Sequence, residues 1–196
     1  MKLPEAVKPS HIALLAFNVA YLLVFTYLFW LRRNSEFLMY VVTVSVFLAF
    51  VSRMHLRYRF SFGVLMGLSA WGLMHMLGGC VGVGDGVLYG VWLIPERLRY
   101  DHFVHAFGFG YATLFCYRVL EPNLGAKVRW FAVGVIAVLA GMGIGALNEI
   151  IEFVAVLTMP ETGVGGYENT MWDIVFNTLG AIVAVSYAVL KRRIWR

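Results

Sequence analysis

The sequence predicts an all-α, polytopic membrane bundle of about six transmembrane helices, folded as a single integral membrane domain over residues 1–196. Of these residues 61% are hydrophobic and only 14% are charged, whereas soluble domains average about 45–50% apolar and about 25% charged residues. Apolar segments recur along the chain at lengths close to those that cross a hydrocarbon core of about 30 Å. The alternation over about ten residues that marks a membrane β-strand is missing. Helices, which satisfy their own backbone hydrogen bonds in lipid, are therefore expected.

Six apolar segments are candidate spans. The first begins after a lysine-bearing start and is too long for a signal peptide, so we predict that it is retained as a span. The second is shorter than a full crossing, and the pattern does not fix its ends. The fifth exceeds one crossing and is expected to tilt, protrude or break. The approximate bounds of the segments are 11–31, 37–52, 60–79, 101–120, 129–157 and 171–190.

The distribution of basic residues predicts the orientation. With six spans both termini share one side, and of the 16 lysines and arginines only four lie on the other side: Arg32, Arg33, Arg97 and Arg99. The positive-inside rule then places both termini in the cytoplasm and the chain in the cell inner membrane. This bias explains the net charge of +5. No basic patch is interleaved with stacking aromatics, so we expect the bilayer, and not nucleic acid, as the partner. No pattern indicates an oligomeric state.

The stretch "GALNEIIEFVAVL", Gly145–Leu157, places an asparagine and two glutamates inside an apolar run. Near a helix C-terminus the macrodipole disfavours anions, and apolar neighbours on both sides disfavour exposure to water. The predicted helix directions bring further polar residues from three other segments to the same depth, near the outer face. These residues are His75, Asp101, His102, His105, Asn148, Glu149, Glu152, Asp173 and Asn177.

The spacing within this cluster favours a common site. Asp101 and His105 are four residues apart, as are Asp173 and Asn177, so each pair lies on one helix face. An uncompensated carboxylate in hydrocarbon costs at least about 2.5 kcal/mol. A divalent cation would neutralise the cluster, and mixed imidazole and carboxylate ligands suit Zn, Mn or Fe. Shared protons or a water-filled cavity are the alternatives. The predicted metal ligands are His75, Asp101, His105, Glu149, Glu152 and Asp173.

Several of these features also have ordinary structural explanations. Thr170 and Asp173 match a capping box at the start of the last helix, and His102 lies one residue off the face of Asp101 and His105. The pairs Gly63/Gly67 and Gly141/Gly145 are typical of close helix packing. The glycine-rich segment Gly78–Gly90 predicts a mobile or re-entrant outer loop. The two cysteines, Cys80 and Cys116, are expected near opposite faces of the membrane and therefore unpaired.

Three motifs resemble known families: "YDHFVHAFGFGYA", "ALNEIIEF" and "MWDIVFNTLGAIV". They are similar to the uncharacterised bacterial YjdF-type inner-membrane family and, more distantly, to the VanZ-like family. VanZ-like proteins carry D-K-x-x-H-F, E-x-x-Q and D-x-x-x-N-x-x-G segments in this order. The positions that fall on this pattern are Asp101, His105, Glu149, Glu152, Asp173, Asn177 and Gly180.

The match to the VanZ-like pattern has two departures. Glu152 stands where those proteins tend to have glutamine, and His102 where they have lysine, so the site here is more acidic. The VanZ-like resemblance implies a link to low-level teicoplanin resistance, while the YjdF-type resemblance implies membrane location alone. Neither resemblance names the chemistry of the site.

Two classes of function follow from the cluster. The first is a membrane hydrolase or transferase acting on a lipid or envelope precursor, in which a metal activates water and Glu149 or Glu152 is the general base. Arg97 or Arg99 would bind a substrate phosphate, and the side chains of Asn148 and Asn177 would complete substrate binding. The alternative is a non-catalytic protein that binds or transports an ion or ligand, or a VanZ-like accessory protein in which the cluster clamps the helices. The sequence does not decide between them.

Overall fold

The computed structural model describes residues 7–125 and 128–194, and the side chains up to residue 190. It is 80% helical, which confirms the predicted all-α membrane bundle. Lys2, Lys127 and Arg196, which entered the charge distribution above, lie outside the described residues. The helices are α1 (Pro9–Leu31), α2 (Ser35–Tyr58), α3 (Phe62–Cys80), α4 (Tyr100–Leu120), α5 (Trp130–Thr158) and α6 (Tyr167–Ile194).

Helix α2 is longer than its predicted apolar segment, whereas α5 has the predicted length. The prediction of 37–52 for α2 was too short, because polar residues such as Arg53 and Arg57 continue the helix beyond the apolar run. The side chain of Asn34 caps its start by accepting a hydrogen bond of 2.9 Å from the backbone N–H of Phe37. The long fifth segment forms one helix of 29 residues, about 43 Å at about 1.5 Å per residue. The segment was expected to tilt, protrude or break, and the continuous helix shows that the expected break is wrong.

Five of the six described helices are long and apolar enough to cross a membrane, and α4 is not among them. Helix α4 has 21 residues, which suffices for a crossing, but its glycines, tyrosines and histidines lower its hydropathy. It packs against α3, α5 and α6. Neighbouring helices therefore cover its polar face. A helix enclosed by other helices in this way need not be apolar enough to face lipid on its own.

The closest helix contact in the bundle joins α4 and α6. A β-carbon built on Gly180 would collide with the backbone carbonyl of Ala106, and one built on Gly110 would lie 3.1 Å from the carbonyl oxygen of Gly180. The two backbones can meet only because both positions lack a side chain. This crossing is the most extensive helix contact in the structure.

The predicted glycine pairs have mixed outcomes. Gly141 faces the side chain of Thr113 on α4, and Gly145 faces Asn177 on α6, so this pair does permit close packing around α5. Gly67 accommodates the ring of Tyr111, whereas Gly63 faces open space. The packing role predicted for Gly63 is therefore wrong.

The connection between α3 and α4, in which a mobile or re-entrant loop was expected, contains two short hairpins. Strands β1 (Gly82–Val83) and β2 (Gly86–Val87) form one antiparallel hairpin, and β3 (Trp92–Ile94) and β4 (Leu98–Arg99) form a second. A single 3₁₀ turn at residues 88–90 lies between them. Asp85 occupies the turn of the first hairpin. Both cysteines are free, as expected.

We expect Gly180→Val to destabilise the bundle, because the added side chain would force α4 and α6 apart. Overpacking of this kind costs about 1–3 kcal/mol, which lowers Tm by about 2–4 °C for each kcal/mol in a chain of this size. The matched control is Gly143→Val, because Gly143 lies on the exposed face of α5 with open space around its α-carbon. Equal Tm values for the two variants in detergent would contradict the importance of the crossing.

Candidate functional site

Three helices bring the predicted polar residues together at one end of the bundle, called here the site end. Helix α4 contributes Asp101 and His105, α5 contributes Glu149 and Glu152, and α6 contributes Asp173. Asp173 is 0% exposed, while His105 and Glu149 are 6% and 8% exposed. The predicted convergence of separate helices is therefore present, and it produces a buried cluster of carboxylates around one imidazole.

One side of the His105 ring faces two aspartates. Its Nε2 lies 3.4 Å from Oδ1 of Asp101 and 3.8 Å from Oδ1 of Asp173. The other carboxylate oxygens are held by Asn169, whose Nδ2 donates to Oδ2 of Asp173 at 2.7 Å and to Oδ2 of Asp101 at 3.4 Å. Asn169 therefore orients both carboxylates so that their Oδ1 atoms point at the same imidazole nitrogen.

The other side of the ring faces α5 and α6. The Nδ1 atom of His105 lies 3.0 Å from Oδ1 of Asn177 and 3.8 Å from Oε1 of Glu149. With the Asn177 oxygen as acceptor, Nδ1 carries the proton and Nε2 keeps its lone pair. The arrangement thus presents Nε2 to the two aspartates in the form that binds a metal.

Glu152 belongs to a second group of potential ligands, together with His105 and Glu149. Its Oε1 accepts a hydrogen bond of 2.8 Å from Nδ2 of Asn148, as expected for two residues one helical turn apart. Asp101, His105 and Asp173 offer ligand atoms that lie within 4.8 Å of one another, and so do His105, Glu149 and Glu152. His105 is the member common to both groups.

Several buried atoms of this cluster have no hydrogen-bond partner among the described residues. They include Oδ1 of Asp173, Nδ2 of Asn177 and both carboxylate oxygens of Glu149, which the amides of Asn148 and Asn177 approach without reaching hydrogen-bond geometry. Buried polar atoms normally find a partner, so a group of orphans at one place needs a physical cause. A bound cation or water would satisfy them, whereas a purely structural clamp would already have paired them.

His75 lies next to the cluster in an aromatic cage. Its ring lies 5.3 Å from that of Tyr40, 5.7 Å from that of Tyr89 and 5.8 Å from that of Trp71, and its Nδ1 is hydrogen-bonded to the Tyr89 hydroxyl. Burial and the nearby carboxylates raise the pKa of Tyr89 well above its usual range, so the phenol keeps its proton. Neither group of metal ligands among the described residues includes His75. Its role as a ligand stays a prediction.

The two arginines predicted to bind phosphate occupy different places. Arg97 is exposed, in the turn between β3 and β4. Arg99 is half-buried at the start of α4, with its guanidinium carbon 4.6 Å above the ring of Trp92, and it interacts electrostatically with Asp173. Arg99 is therefore within electrostatic range of the cluster, whereas Arg97 lies at the surface.

The structure overturns one ordinary explanation and refines another. Helix α6 begins at Tyr167, so Thr170 lies inside the helix and is not a cap for it; Asp173 is buried a turn later. His102 was expected at the interface and not as a ligand. It is 5% exposed, stacks on Phe176 with ring centroids 4.5 Å apart, and its Nδ1 accepts a hydrogen bond of 3.3 Å from the backbone N–H of Arg99.

Sequence reasoning missed two residues. Asn169 lay in a segment predicted as a loop, and the one available indication was its spacing of four residues from Asp173. Glu36 was missed because a glutamate in a first helical turn is ordinary, given the macrodipole. It is buried, its Oε2 accepts a hydrogen bond of 2.6 Å from the backbone N–H of Gly163, and its Oε1 accepts one of 3.3 Å from the Tyr40 hydroxyl. Glu36 therefore ties α2 to the connection between α5 and α6.

We expect Glu36→Ala to loosen this connection, residues 159–166, because the Gly163 amide loses a charged acceptor. Hydrogen bonds to charged groups contribute about 1.5–3 kcal/mol, so amide exchange there should become about tenfold faster or more. Hydrogen–deuterium exchange of the purified protein measures this. Glu168→Ala is the control, because Glu168 is exposed on the first turn of α6. Unchanged exchange at 159–166 in the Glu36 variant would contradict the tie.

Comparison with known proteins places the chain in a family. A family model described as "Predicted membrane protein (DUF2238)" matches residues 13–193, which include every residue of the cluster. No curated protein and no solved structure matches the chain. The match agrees with the predicted membrane location, and the VanZ-like resemblance stays a prediction. Since the model covers nearly the whole chain, the protein belongs to this family of predicted membrane proteins.

Proposed function

We propose that this protein binds a divalent cation between Asp101, His105 and Asp173, and that the ion serves a hydrolase or transferase acting on a lipid or lipid-linked envelope precursor. The proposal rests on one observation, namely that three potential ligand atoms point to the same place. Oδ1 of each aspartate faces Nε2 of His105 at 3.4 and 3.8 Å, while Asn169 and Asn177 hold the remaining atoms of these side chains.

The distances suit a metal. Two ligand atoms that lie about 2.1 Å from one ion in tetrahedral geometry are about 3.4 Å apart. Two aspartates also match the charge of a divalent ion, which removes the cost of burying them as anions. One imidazole with two carboxylates suits Zn, Mn or Fe. The ion would activate water or polarise a substrate oxygen.

Glu149 is the best candidate for a general base. Both of its carboxylate oxygens are buried without a hydrogen-bond partner among the described residues, and Oε1 lies 3.8 Å from the His105 ring. Glu152 is already engaged by Asn148 and would support it. The group His105, Glu149 and Glu152 also keeps the earlier interpretation open, in which these glutamates are themselves ligands.

The substrate class follows from the surroundings of the cluster. It lies at the end of a bundle embedded in lipid, and Arg99 is half-buried beside it with a buried Nε that lacks a hydrogen-bond partner among the described residues. A guanidinium in this position suits a phosphate. We place the site near the outer face of the inner membrane, with cytoplasmic termini, on the distribution of basic residues.

Transport of an ion through the bundle has less support. Beyond His105 the buried residues of α4 are mostly apolar, as in Phe109, Ala112 and Phe115, and the hydroxyl of Thr113 donates to the carbonyl of Phe109 in its own helix. The described part of α4 therefore offers no chain of polar groups to the opposite end. A VanZ-like accessory role would not explain why buried carboxylate oxygens are left unpaired.

We expect the purified wild-type protein to bind about one equivalent of Zn, Mn or Fe per chain, and Asp173→Asn to weaken binding by at least about tenfold. The change keeps the size of the side chain but removes a charged ligand. Asn169→Ala leaves all three ligands in place, and loss of such an orienting partner typically costs about 10–100-fold in affinity. Metal analysis and titration calorimetry measure both effects.

The matched control is Glu168→Gln, an exposed change on the same helix, which should bind metal like the wild type. Glu149→Gln separates the two roles of Glu149, since a general base can be replaced with the metal retained, whereas a ligand cannot. Negligible metal in the wild type, or equal metal in the wild type and in Asp173→Asn, would refute the metal centre.

A further inference from the structure

An apolar groove runs along the bundle from the cluster toward the opposite end. It has a volume of about 570 Å³ and lies between α2, α3, α4 and α5. Its rims, Phe50, Ile136 and Leu147, are 49%, 53% and 58% exposed, so the groove opens sideways to the membrane. Its floor is formed by α4, from Gly108 to Leu120.

The groove touches the candidate site at one end. Asn148, which lines the groove, donates to Glu152, and Phe109, which also lines it, stacks on His105 with ring centroids 5.8 Å apart. Trp71 lines the same end and stacks on His75 at 5.8 Å. The other polar side chain nearby, Thr43, donates its hydroxyl to the carbonyl of Met39 in its own helix.

The loops at the site end of the bundle cover this end of the groove. Tyr89 lies over His75, and the connection between α5 and α6 is tied across the end by Gly163 and Glu36. The groove therefore offers a lateral, lipid-side approach to the cluster. An approach of this kind suits a molecule that already resides in the membrane.

The dimensions favour a single acyl chain. Along α5 the groove extends from Ile136 to Ile151, about 22 Å at about 1.5 Å per residue, which is of the same order as one leaflet, about 15 Å. A polyprenyl chain of many more carbons would exceed this length.

We propose that this groove binds the acyl chain of a membrane lipid and presents the polar end of that lipid at Asn148 and Glu152, beside His105. The inference rests on the proposed function, because it assigns the acyl lipid as the substrate class of the same site. The groove binds the acyl chain and fixes its position along the bundle, and the cluster acts on the polar group of the lipid. Chain binding and metal binding use different residues, so each can fail without the other.

The test is lipid retention by the full-length protein, purified in detergent and studied by native mass spectrometry and lipid extraction. Ile144→Trp fills the groove, which Ile144 lines. The matched control is Leu23→Trp, on the membrane-facing side of α1, where Leu23 is 65% exposed. Metal content is measured on the same samples. If Ile144→Trp gives no monodisperse protein, Ala140→Phe, in the same groove, replaces it under the same criteria.

We expect about one acyl lipid per wild-type chain, about fivefold less or lower still in Ile144→Trp because the indole occupies the space of the chain, and no change in Leu23→Trp. Metal content should be equal in all three proteins. The proposal is overturned if the wild type retains no lipid, retains a polyprenyl lipid, or forms a lipid-free dimer that covers the groove. Equal loss in both tryptophan variants also overturns it, whereas loss of metal alone bears on the proposed metal centre.

Discussion

The crossing of α4 and α6 is the contact on which the candidate site depends. Gly180 meets the backbone carbonyl of Ala106, and Ala106 is the neighbour of His105 along the chain. One and two turns before Gly180 on α6 lie Asn177 and Asp173, so the same contact brings both side chains to the imidazole. A side chain at Gly180 would separate the two backbones and the His105 partners with them. The position of the site thus follows from a packing constraint in the middle of the bundle.

The second constraint is that buried carboxylates need partners, and side-chain amides supply some of them. Asn169 binds one oxygen of Asp173 and approaches one of Asp101, and Asn148 binds one oxygen of Glu152. These neutral donors orient the carboxylates without neutralising them, so the excess negative charge remains within a low-dielectric interior. A divalent cation at His105 would offset the charges of Asp101 and Asp173. The groove between α2 and α5 meets this same place, which joins a charged centre to a lipid-side approach.

Much of the fold followed from the sequence, because the length and polarity of helices in a bilayer are set by the bilayer. The convergence of Asp101, His105, Glu149 and Asp173 followed from helix direction and length alone. The rest depends on tertiary contacts that local patterns do not encode. Glu36 resembles an ordinary first-turn glutamate, and α6 begins before its apolar run, so Asn169 could not be recognised as part of a helix. Likewise, the glycine-rich segment Gly78–Gly90 does not reveal that it will form a hairpin.

The central claim is that one ion lies among the side chains of Asp101, His105 and Asp173. Anomalous scattering from crystals of the wild-type protein grown with Zn or Mn tests it most directly, because it locates the ion without reference to activity. We expect one peak about 2.0–2.2 Å from Nε2 of His105 and from a carboxylate oxygen of each aspartate. A map without a peak at His105, or with peaks at exposed carboxylates alone, would contradict the account.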